Sequence, residues 1–447
     1  MLTYSGQYYY MLYRKIKEKI ENKLKNGNKI IVVDGARQVG KTFLVRVVGK
    51  NLYKNFHEIN LLDDFNSYKI FEKIRNIQDF YLQLSSYFGR ELGNKNDTMI
   101  FLDEIQVYPH ILTMLKFLKD DDRFSYICSG SELGITLNKT TSIPMGYIDI
   151  MKMFPLDFEE FLYANGVGDD VVLNIKNSFD KKESITEALH IRIMDLFKKY
   201  LLIGGMPDAV NNFLENNNIQ FVRDIHAEIT NFYKDDATKY DKLNKLKIMR
   251  IYDSIPSQLS NKKKRIVIKN IENIKGKAKS NYQNEFDYLL FRGIALEVDA
   301  VSNPVFPLTQ SDDKNLLKLY LNDVGLLSNI YYKENIRPIL DDSLSINLGA
   351  LYENVVAMEL TNHAHKLFYY DNKKNGEIDF LVDDYENSVV IPIEVKSGKD
   401  YKIHSALNAY LNSGRYNSKI GYVLSNNRMI EFNNNIYYLP IYYMMFI

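Results

Sequence analysis

The sequence feature that most constrains the fold is the run GARQVGKT at residues 35–42. It fits the pattern G-x-x-x-x-G-K-[S/T] at every fixed position, and the apolar run Ile30–Val33 precedes it almost directly. The residues after Thr42 have the apolar spacing of a helix. A strand, a glycine-bearing loop and a helix in this order direct backbone N–H groups and a helix N-terminus at a phosphate. The run therefore predicts a nucleotide-binding loop in an α/β domain.

Four positions of this loop have predicted roles. Gly35 and Gly40 let the backbone turn around the phosphates, and Lys41 brings a positive charge to the β- and γ-phosphates. Thr42 offers a hydroxyl group to Mg²⁺. We therefore expect ATP and Mg²⁺ as cofactors.

A second apolar run, Met99–Leu102, ends in the acidic pair Asp103 and Glu104. A buried strand would place this pair at the carboxyl edge of the sheet, beside the loop. Asp103 is predicted to hold Mg²⁺, and Glu104 to orient or deprotonate the attacking water. The alternative is an acidic strand end that caps the next helix.

A third apolar run, Ser125–Cys128, is followed by Gly130 and Ser131. The Ser131 hydroxyl is predicted to lie beside the γ-phosphate, although serine is equally suited to a helix N-cap at this position. Uninterrupted apolar strands that alternate with helices predict a parallel sheet covered on both faces. The expected fold class is thus an α/β P-loop NTPase domain.

Composition limits the remaining possibilities. The 447 residues suggest two to four domains, and 57 lysines and arginines against 56 acids mean that any basic surface is local. A single cysteine, Cys128, excludes a disulfide framework and a multi-cysteine zinc site. Neither a secretory signal nor an apolar run near the roughly 18 residues of a membrane span is recognisable, which predicts a cytoplasmic protein without membrane contact.

The basic charge is concentrated in residues 242–279, where twelve lysines and arginines face only two acids. A helix over Ser280–Gly293 and a strand over Ile294–Val301 follow, in the order of a winged helix-turn-helix. This arrangement predicts DNA as a partner, although a winged helix that packs on protein stays open. The residues expected to contact nucleic acid are Lys262, Lys263, Lys264 and Arg265.

The C-terminal part contains a Glu-x-Lys tripeptide at Glu394 and Lys396, inside a run that alternates like a strand. Alternation places both side chains on one face. Asp379 lies in the preceding strand, and Glu353 on the helix before it. A helix Glu, a strand Asp and a strand Glu-x-Lys resemble the arrangement of PD-(D/E)xK nucleases.

The chemistry of this set suits phosphodiester cleavage. Asp379 and Glu394 would hold Mg²⁺ beside the scissile phosphate, and Glu353 would complete the metal shell. Lys396 would orient or help to deprotonate a water and offset developing charge. The alternative is an inactive nuclease-like fold that binds DNA or protein only.

Several motifs together resemble the bacterial and archaeal AAA-type ATPases that carry a C-terminal domain of unknown function with a restriction-endonuclease-like fold. They are GARQVGKT, FLDEIQ, SGSELG, FPLDFEEFL, YLLIGGMPDAV, FYKDDATKY, SIPSQLS, LYLNDVGLL, GALYENVVAMEL, GEIDFLV and PIEVKSGK. The resemblance covers residues 11–447. It implies an ATPase domain (1–182), a helical lid and connector (183–260), a winged-helix-like domain (261–343) and a nuclease-like domain (344–447).

Two departures from the family pattern bear on the prediction. Residues 1–10 precede the usual start near Met11, and Gly146 is followed by Tyr147 where relatives carry a basic residue. No arginine finger is assigned, and oligomer formation and protein partners stay open. Two hypotheses follow: an ATPase that couples nucleotide state to a DNA-binding, Mg²⁺-dependent nuclease, or an ATP-dependent switch or scaffold whose nuclease-like domain only binds.

Overall fold

The computed structural model describes most of the chain. It covers residues 2–447 except 5–6, 10, 64–68, 132, 135–145, 241–244, 262, 275, 312 and 342–346. It describes the backbone alone for residues 2–4, 7–9, 238–240, 245 and 313–315. These residues form two compact units, which we call the nucleotide unit (14–154 and 291–293) and the C-terminal unit (1–13, 155–290 and 294–447).

Strands are numbered here in chain order. The N-terminal hairpin, which belongs to the C-terminal unit, consists of β1 (Leu2–Tyr4) and β2 (Gln7–Tyr9). The strands of the nucleotide unit are β3 (Ile30–Asp34), β4 (Asn55–Asn60), β5 (Thr98–Asp103), β6 (Ser125–Gly130) and β7 (Ile148–Lys152). Its α-helices are Lys15–Asn26, Lys41–Leu52, Ile77–Phe88 and Pro109–Asp121.

The five strands of the nucleotide unit form one sheet in the order β4-β5-β6-β3-β7, and every pairing is parallel. All residues of β3 and β5 are buried, as expected for central strands with both faces covered. The parallel pairing brings the carboxyl ends of all five strands to one edge. The predicted α/β fold with a parallel sheet is confirmed.

The C-terminal unit combines helices with a larger sheet. Its strands are β8 (Ala295–Val301), β9 (Asp313–Leu321), β10 (Phe368–Asn372), β11 (Gly376–Asp384), β12 (Val389–Val395), β13 (Gly421–Ser425), β14 (Glu431–Asn433) and β15 (Ile436–Pro440). Its α-helices are Phe158–Ala164, Asp169–Lys181, Glu187–Ile203, Pro207–Asn216, Ile219–Tyr240, Lys245–Leu259, Lys269–Glu272, Gln283–Phe291 (whose last residue belongs to the nucleotide unit), Val324–Tyr332, Arg337–Leu340, Gly349–Asn362 and Ser405–Leu411.

Eight strands of this unit form a mixed sheet in the order β14-β15-β13-β12-β11-β10-β8-β9. Strands β8 and β9, which we assigned to a winged-helix-like domain, therefore continue the sheet of the nuclease-like domain. Strand β8 pairs in parallel with β10, between Asp299 and Phe368, and buries six of its seven residues. The boundary predicted near residue 343 consequently does not separate two sheets.

Several of the motifs that carry the family resemblance meet inside the C-terminal unit. The N–H of Leu156 donates to the carbonyl oxygen of Gly205 at 2.7 Å, and the N–H of Gly205 donates to the Asp323 carboxylate at 2.6 Å. The N–H of Phe158 donates to Glu359 at 2.7 Å. Backbone groups at two tight turns are thus satisfied by buried carboxylates, which explains these motifs structurally.

Among the helices that the structure describes, none is long and apolar enough to cross a membrane.

Candidate functional site

The loop between β3 and the helix Lys41–Leu52 has the strained geometry that its glycines predict. Gly40 is in the left-handed region at φ 93°, where a side chain would be unfavourable. A Cβ atom at Gly35 would overlap the carbonyl oxygen of Met153. The Arg14 guanidinium donates to the carbonyl oxygen of Val39 at 3.0 Å and supports the loop from outside.

Lys41 is buried at the start of this helix and lies across the loop. Its Nζ donates to the carbonyl oxygens of Gly35 and Ala36, each at 2.8 Å. Burial lowers the pKa of Lys41, although nearby carboxylates, of which Glu104 acts most strongly, favour the charged form. The ammonium group thus lies on the carbonyl groups of the loop itself and can exchange them for phosphate oxygens.

Thr42 and Asp103 meet as the sequence analysis expected. Thr42 Oγ1 donates to Asp103 Oδ2 at 3.0 Å, and the Ser129 hydroxyl donates to the other carboxylate oxygen. Burial raises the pKa of Asp103; the hydrogen bond from Ser129 opposes that shift and the neighbouring Glu104 adds to it. The pair therefore offers a hydroxyl and a carboxylate, which are the hard oxygen ligands that Mg²⁺ prefers.

Glu104 follows β5 in the left-handed conformation, with φ 57° and ψ 47°. Its carboxylate accepts a hydrogen bond from Gln106 Nε2, which lies 3.4 Å from the Ser131 hydroxyl oxygen. The two predicted residues Glu104 and Ser131 are thus linked through Gln106, whose role the sequence analysis missed. A positive φ at a residue other than glycine is uncommon and is often found where a side chain is aimed at a site.

Arg292 is a second cation that the sequence analysis missed. It belongs to the nucleotide unit and is buried, and burial, together with the like charge of Arg37 in the loop, lowers its pKa to about 9. The carboxylate of Glu104 opposes this shift. Two arginines and Glu104 therefore interact electrostatically, and no local pattern around Arg292 indicates this.

The C-terminal unit contains a cavity of about 330 Å³ that holds the predicted nuclease-like set. Asp379 Oδ2 accepts the backbone N–H of Val395 at 2.9 Å, and Lys396 Nζ donates to Glu394 Oε1 at 2.7 Å. Burial raises the pKa of Glu394 to about 8, reinforced by Asp379 and opposed by Lys396. The residues that line the cavity include Glu353, Asp379, Glu394 and Lys396.

Glu353 has partners in this cavity that the sequence analysis did not predict. Tyr320 Oη donates to Glu353 Oε2 at 2.9 Å, and Lys264 Nζ forms an ion pair with Glu353 Oε1. Lys318, which is fully buried, forms an ion pair with Glu377 at 2.6 Å. The basic stretch therefore contributes Lys264 to the cavity, whereas we had predicted a contact with nucleic acid.

Three family models match the chain in succession. Residues 27–162 match an AAA domain. The predicted AAA-type P-loop domain in this part of the chain is confirmed. Residues 194–336 match a domain of unknown function (DUF8612), and residues 348–444 match a second domain of unknown function (DUF4143).

Solved structures with a similar fold include nucleotide-binding proteins of archaea. The Walker-type ATPase PABY2304 of Pyrococcus abyssi is 13% identical over 72% of this chain and 96% of its own, with a TM-score of 0.42. Aeropyrum pernix Orc1, solved in complex with DNA, is 14% identical over 76% and 96%, with a TM-score of 0.29. Cdc6p of Pyrobaculum aerophilum is 14% identical over 76% and 97%, with a TM-score of 0.28. No curated protein matches the chain.

The geometry of the acids bears on metal binding. Among the described residues, the potential ligand atoms of Asp157, Glu359 and His363 lie within 4.8 Å of one another, whereas Glu353, Asp379 and Glu394 do not form such a group. Asp157 caps the helix Phe158–Ala164, so its carboxylate already has a structural role. The cavity fits a cation through Glu394, whose buried Oε2 has no hydrogen-bond partner in the described part of the chain.

The other predicted nucleic-acid contacts are distributed unevenly. Lys263 is exposed and Arg265 is half-buried, whereas Lys262 lies outside the described residues. Lys279, at the end of the same basic stretch, forms an ion pair with Glu297 at 2.6 Å. Part of the local positive charge is therefore neutralised within the unit.

Proposed function

We propose that the nucleotide unit binds ATP with Mg²⁺ and hydrolyses it. The observation that carries this proposal is the hydrogen bond between Thr42 and Asp103, which joins the end of the phosphate loop to the acidic end of β5. Lys41 supports it, because a buried ammonium group on loop carbonyls has an exchangeable place at the phosphates. The match of residues 27–162 to an AAA domain is consistent with this activity.

Each residue has a distinct part in the proposed reaction. Bound Mg²⁺ supplies Lewis-acid charge to the phosphate oxygens, and Thr42 and Asp103 would hold it. Glu104 orients the attacking water and accepts its proton. Arg37 and Arg292 provide positive charge on the side of Glu104, which suits the charge that develops on the transferred phosphoryl group.

Nucleotide binding by full-length protein tests the proposal. Calorimetry with ATP and Mg²⁺ should detect binding to the parent, and Lys41→Ala should abolish it. Lys50→Ala, an exposed lysine in the last turn of the same helix, is the matched control and should bind like the parent. Absence of binding to folded parent protein would reject the proposal.

For the C-terminal cavity, we propose Mg²⁺-dependent cleavage of DNA, controlled by the nucleotide. The support is that Asp379, Glu394 and Lys396 line one cavity and that Asp379 and Lys396 have defined partners. Oxygen atoms of Asp379 and Glu394 would hold Mg²⁺, which stabilises charge on the scissile phosphate. Lys396 would orient the water.

A second candidate function is a switch or scaffold in which the cavity binds DNA or protein without cleavage. It is favoured by Glu353, because both of its carboxylate oxygens already have partners. Cleavage of single- and double-stranded DNA with Mg²⁺, with and without ATP, separates the two candidates. Cleavage that Asp379→Ala and Lys396→Ala abolish, and Lys419→Ala preserves, supports the nuclease; no cleavage of any substrate supports the switch.

A further inference from the structure

Lys264 reaches the cavity from a segment that lies outside the nuclease-like motif. Its ammonium group forms an ion pair with Glu353 Oε1, and its side chain is 21% exposed. Burial disfavours the charged form of Lys264, but the carboxylates of Glu353 and Asp379 more than offset this and raise its pKa. The cavity therefore contains a permanent cation of its own, attached to the chain.

This cation occupies the one predicted metal ligand that has no other charged partner. Glu353 is 2% exposed, and its second oxygen accepts the Tyr320 hydroxyl at 2.9 Å. Glu394, in contrast, has one oxygen on Lys396 and a second, buried oxygen without a hydrogen-bond partner in the described residues. Glu394 thus retains a coordination site, while Glu353 is closed by Lys264.

We propose that Lys264 is a tethered competitor of the divalent cation and keeps the cavity in an inhibited state until its ammonium group leaves Glu353. The inference rests on the metal site that we proposed for this cavity. An ammonium group and a divalent cation on the same carboxylate cluster repel each other, so both cannot occupy it favourably. The partly exposed stem of Lys264 leaves the side chain room to turn outward. A DNA phosphate is the anion that would draw it away.

Removal of the charge tests the competition directly. Lys264→Met keeps the length of the apolar stem but leaves Glu353 as an uncompensated buried carboxylate, which favours uptake of another cation. Lys264→Arg keeps the charge and adds a planar fork suited to a carboxylate. In nucleotide-free full-length protein, we expect Lys264→Met to bind Mn²⁺ about tenfold or more tightly than the parent and Lys264→Arg to bind it no more tightly than the parent.

The measurement is a Mn²⁺ titration followed by electron paramagnetic resonance of the free ion. Lys419→Met, at an exposed lysine, is the control and should match the parent. The double variant Lys264→Met with Glu353→Gln should lose the gain. Mn²⁺ should also raise the melting temperature of Lys264→Met more than that of the parent, which keeps the test valid if this variant is less stable.

The outcomes separate this inference from the proposed function. If Asp379→Asn weakens Mn²⁺ binding but Lys264→Met leaves it unchanged or weaker, the metal site stands and the competition is overturned. If Asp379→Asn has no effect in the parent or in Lys264→Met, the cavity is not the Mn²⁺ site, and both the proposed nuclease and this inference are overturned.

Discussion

Thr42 Oγ1 donates a hydrogen bond to Asp103 Oδ2 across 3.0 Å, so the two residues that we assign to Mg²⁺ are in direct contact. They come from a helix start and a strand end that are far apart in the chain. Parallel strands bring these ends to one sheet edge, where ligands of open α/β sheets bind. The contact orients the Asp103 carboxylate toward the phosphate loop.

Thr42→Ala should weaken nucleotide binding only when Mg²⁺ is present, because the lost hydroxyl serves the metal. We expect the Kd for ATP to rise about tenfold with Mg²⁺ and to stay near the parent value in excess EDTA. Calorimetry under both conditions measures the difference. An equal loss in EDTA would mean that the substitution damages the loop itself.

Glu104→Gln should bind ATP and fail to hydrolyse it. The amide keeps the size of the side chain but cannot accept the proton of the attacking water, so turnover should fall by about 100-fold or more. Phosphate release under saturating ATP gives the rate, and Glu91→Gln, an exposed acid in the same unit, is the control. Turnover equal to that of the parent would reject Glu104 as the base.

The DNA-binding prediction is tested on the two described basic residues that lie outside the cavity. Lys263→Ala combined with Arg265→Ala should lower DNA affinity and reduce the slope of log K against log salt by about 1 to 2, since each lost phosphate contact removes nearly one unit. Fluorescence anisotropy at several salt concentrations measures the slope. Lys373→Ala with Lys419→Ala, two exposed lysines, is the control pair, and an unchanged slope in the test variant would place the DNA footprint elsewhere.

Asp323→Ala should destabilise the C-terminal unit. The buried carboxylate accepts the N–H groups of Gly205 at 2.6 Å and Leu326 at 3.1 Å, so its removal leaves two buried donors unsatisfied. We expect a loss of about 2–4 kcal/mol in the free energy of unfolding, and a smaller loss for Asp323→Asn, which keeps one acceptor oxygen. Chemical denaturation measures both, and equal losses would argue against the hydrogen bonds as the cause.

His226 should make the C-terminal unit less stable in acid. Burial, helped by Arg223, lowers its pKa to about 3, and its Nε2 lies 2.9 Å from the carbonyl oxygen of Ile203. The unfolded chain, with a pKa near 6.5, then binds a proton that the folded chain does not. The stability at neutral pH is therefore lost progressively as the pH falls from about 6.5 toward 3.

His226→Gln removes this titration while keeping a donor for Ile203. The difference in unfolding free energy between pH 7 and pH 4 should shrink by about 3 kcal/mol relative to the parent. Asp323, whose pKa burial raises to about 6, titrates in the opposite sense, but its contribution cancels between parent and variant. Urea denaturation at both pH values provides the comparison, and an unchanged difference would contradict the assignment to His226.

The outcome of the domain prediction shows where sequence patterns lose information. The apolar pattern of residues 294–301 correctly indicates a strand, but it is equally compatible with the wing of a small domain and with a place in a larger sheet. Only pairing distinguishes them, and β8 pairs with β10, which comes much later in the chain. Alternation reports which side chains of a strand are buried and carries no information about which strand lies beside it.

By itself, the sequence determined the phosphate loop, the acidic end of β5 and the Glu-x-Lys strand, because each depends on neighbouring residues whose spacing sets their geometry. Tertiary structure alone decided that Lys264 pairs with Glu353, that Asp323 accepts from Gly205 and that Arg292 interacts with Arg37 and Glu104. These partners come from distant segments. A buried charge or N–H group must find a partner wherever packing brings one, and the spacing of residues along the chain does not record that choice.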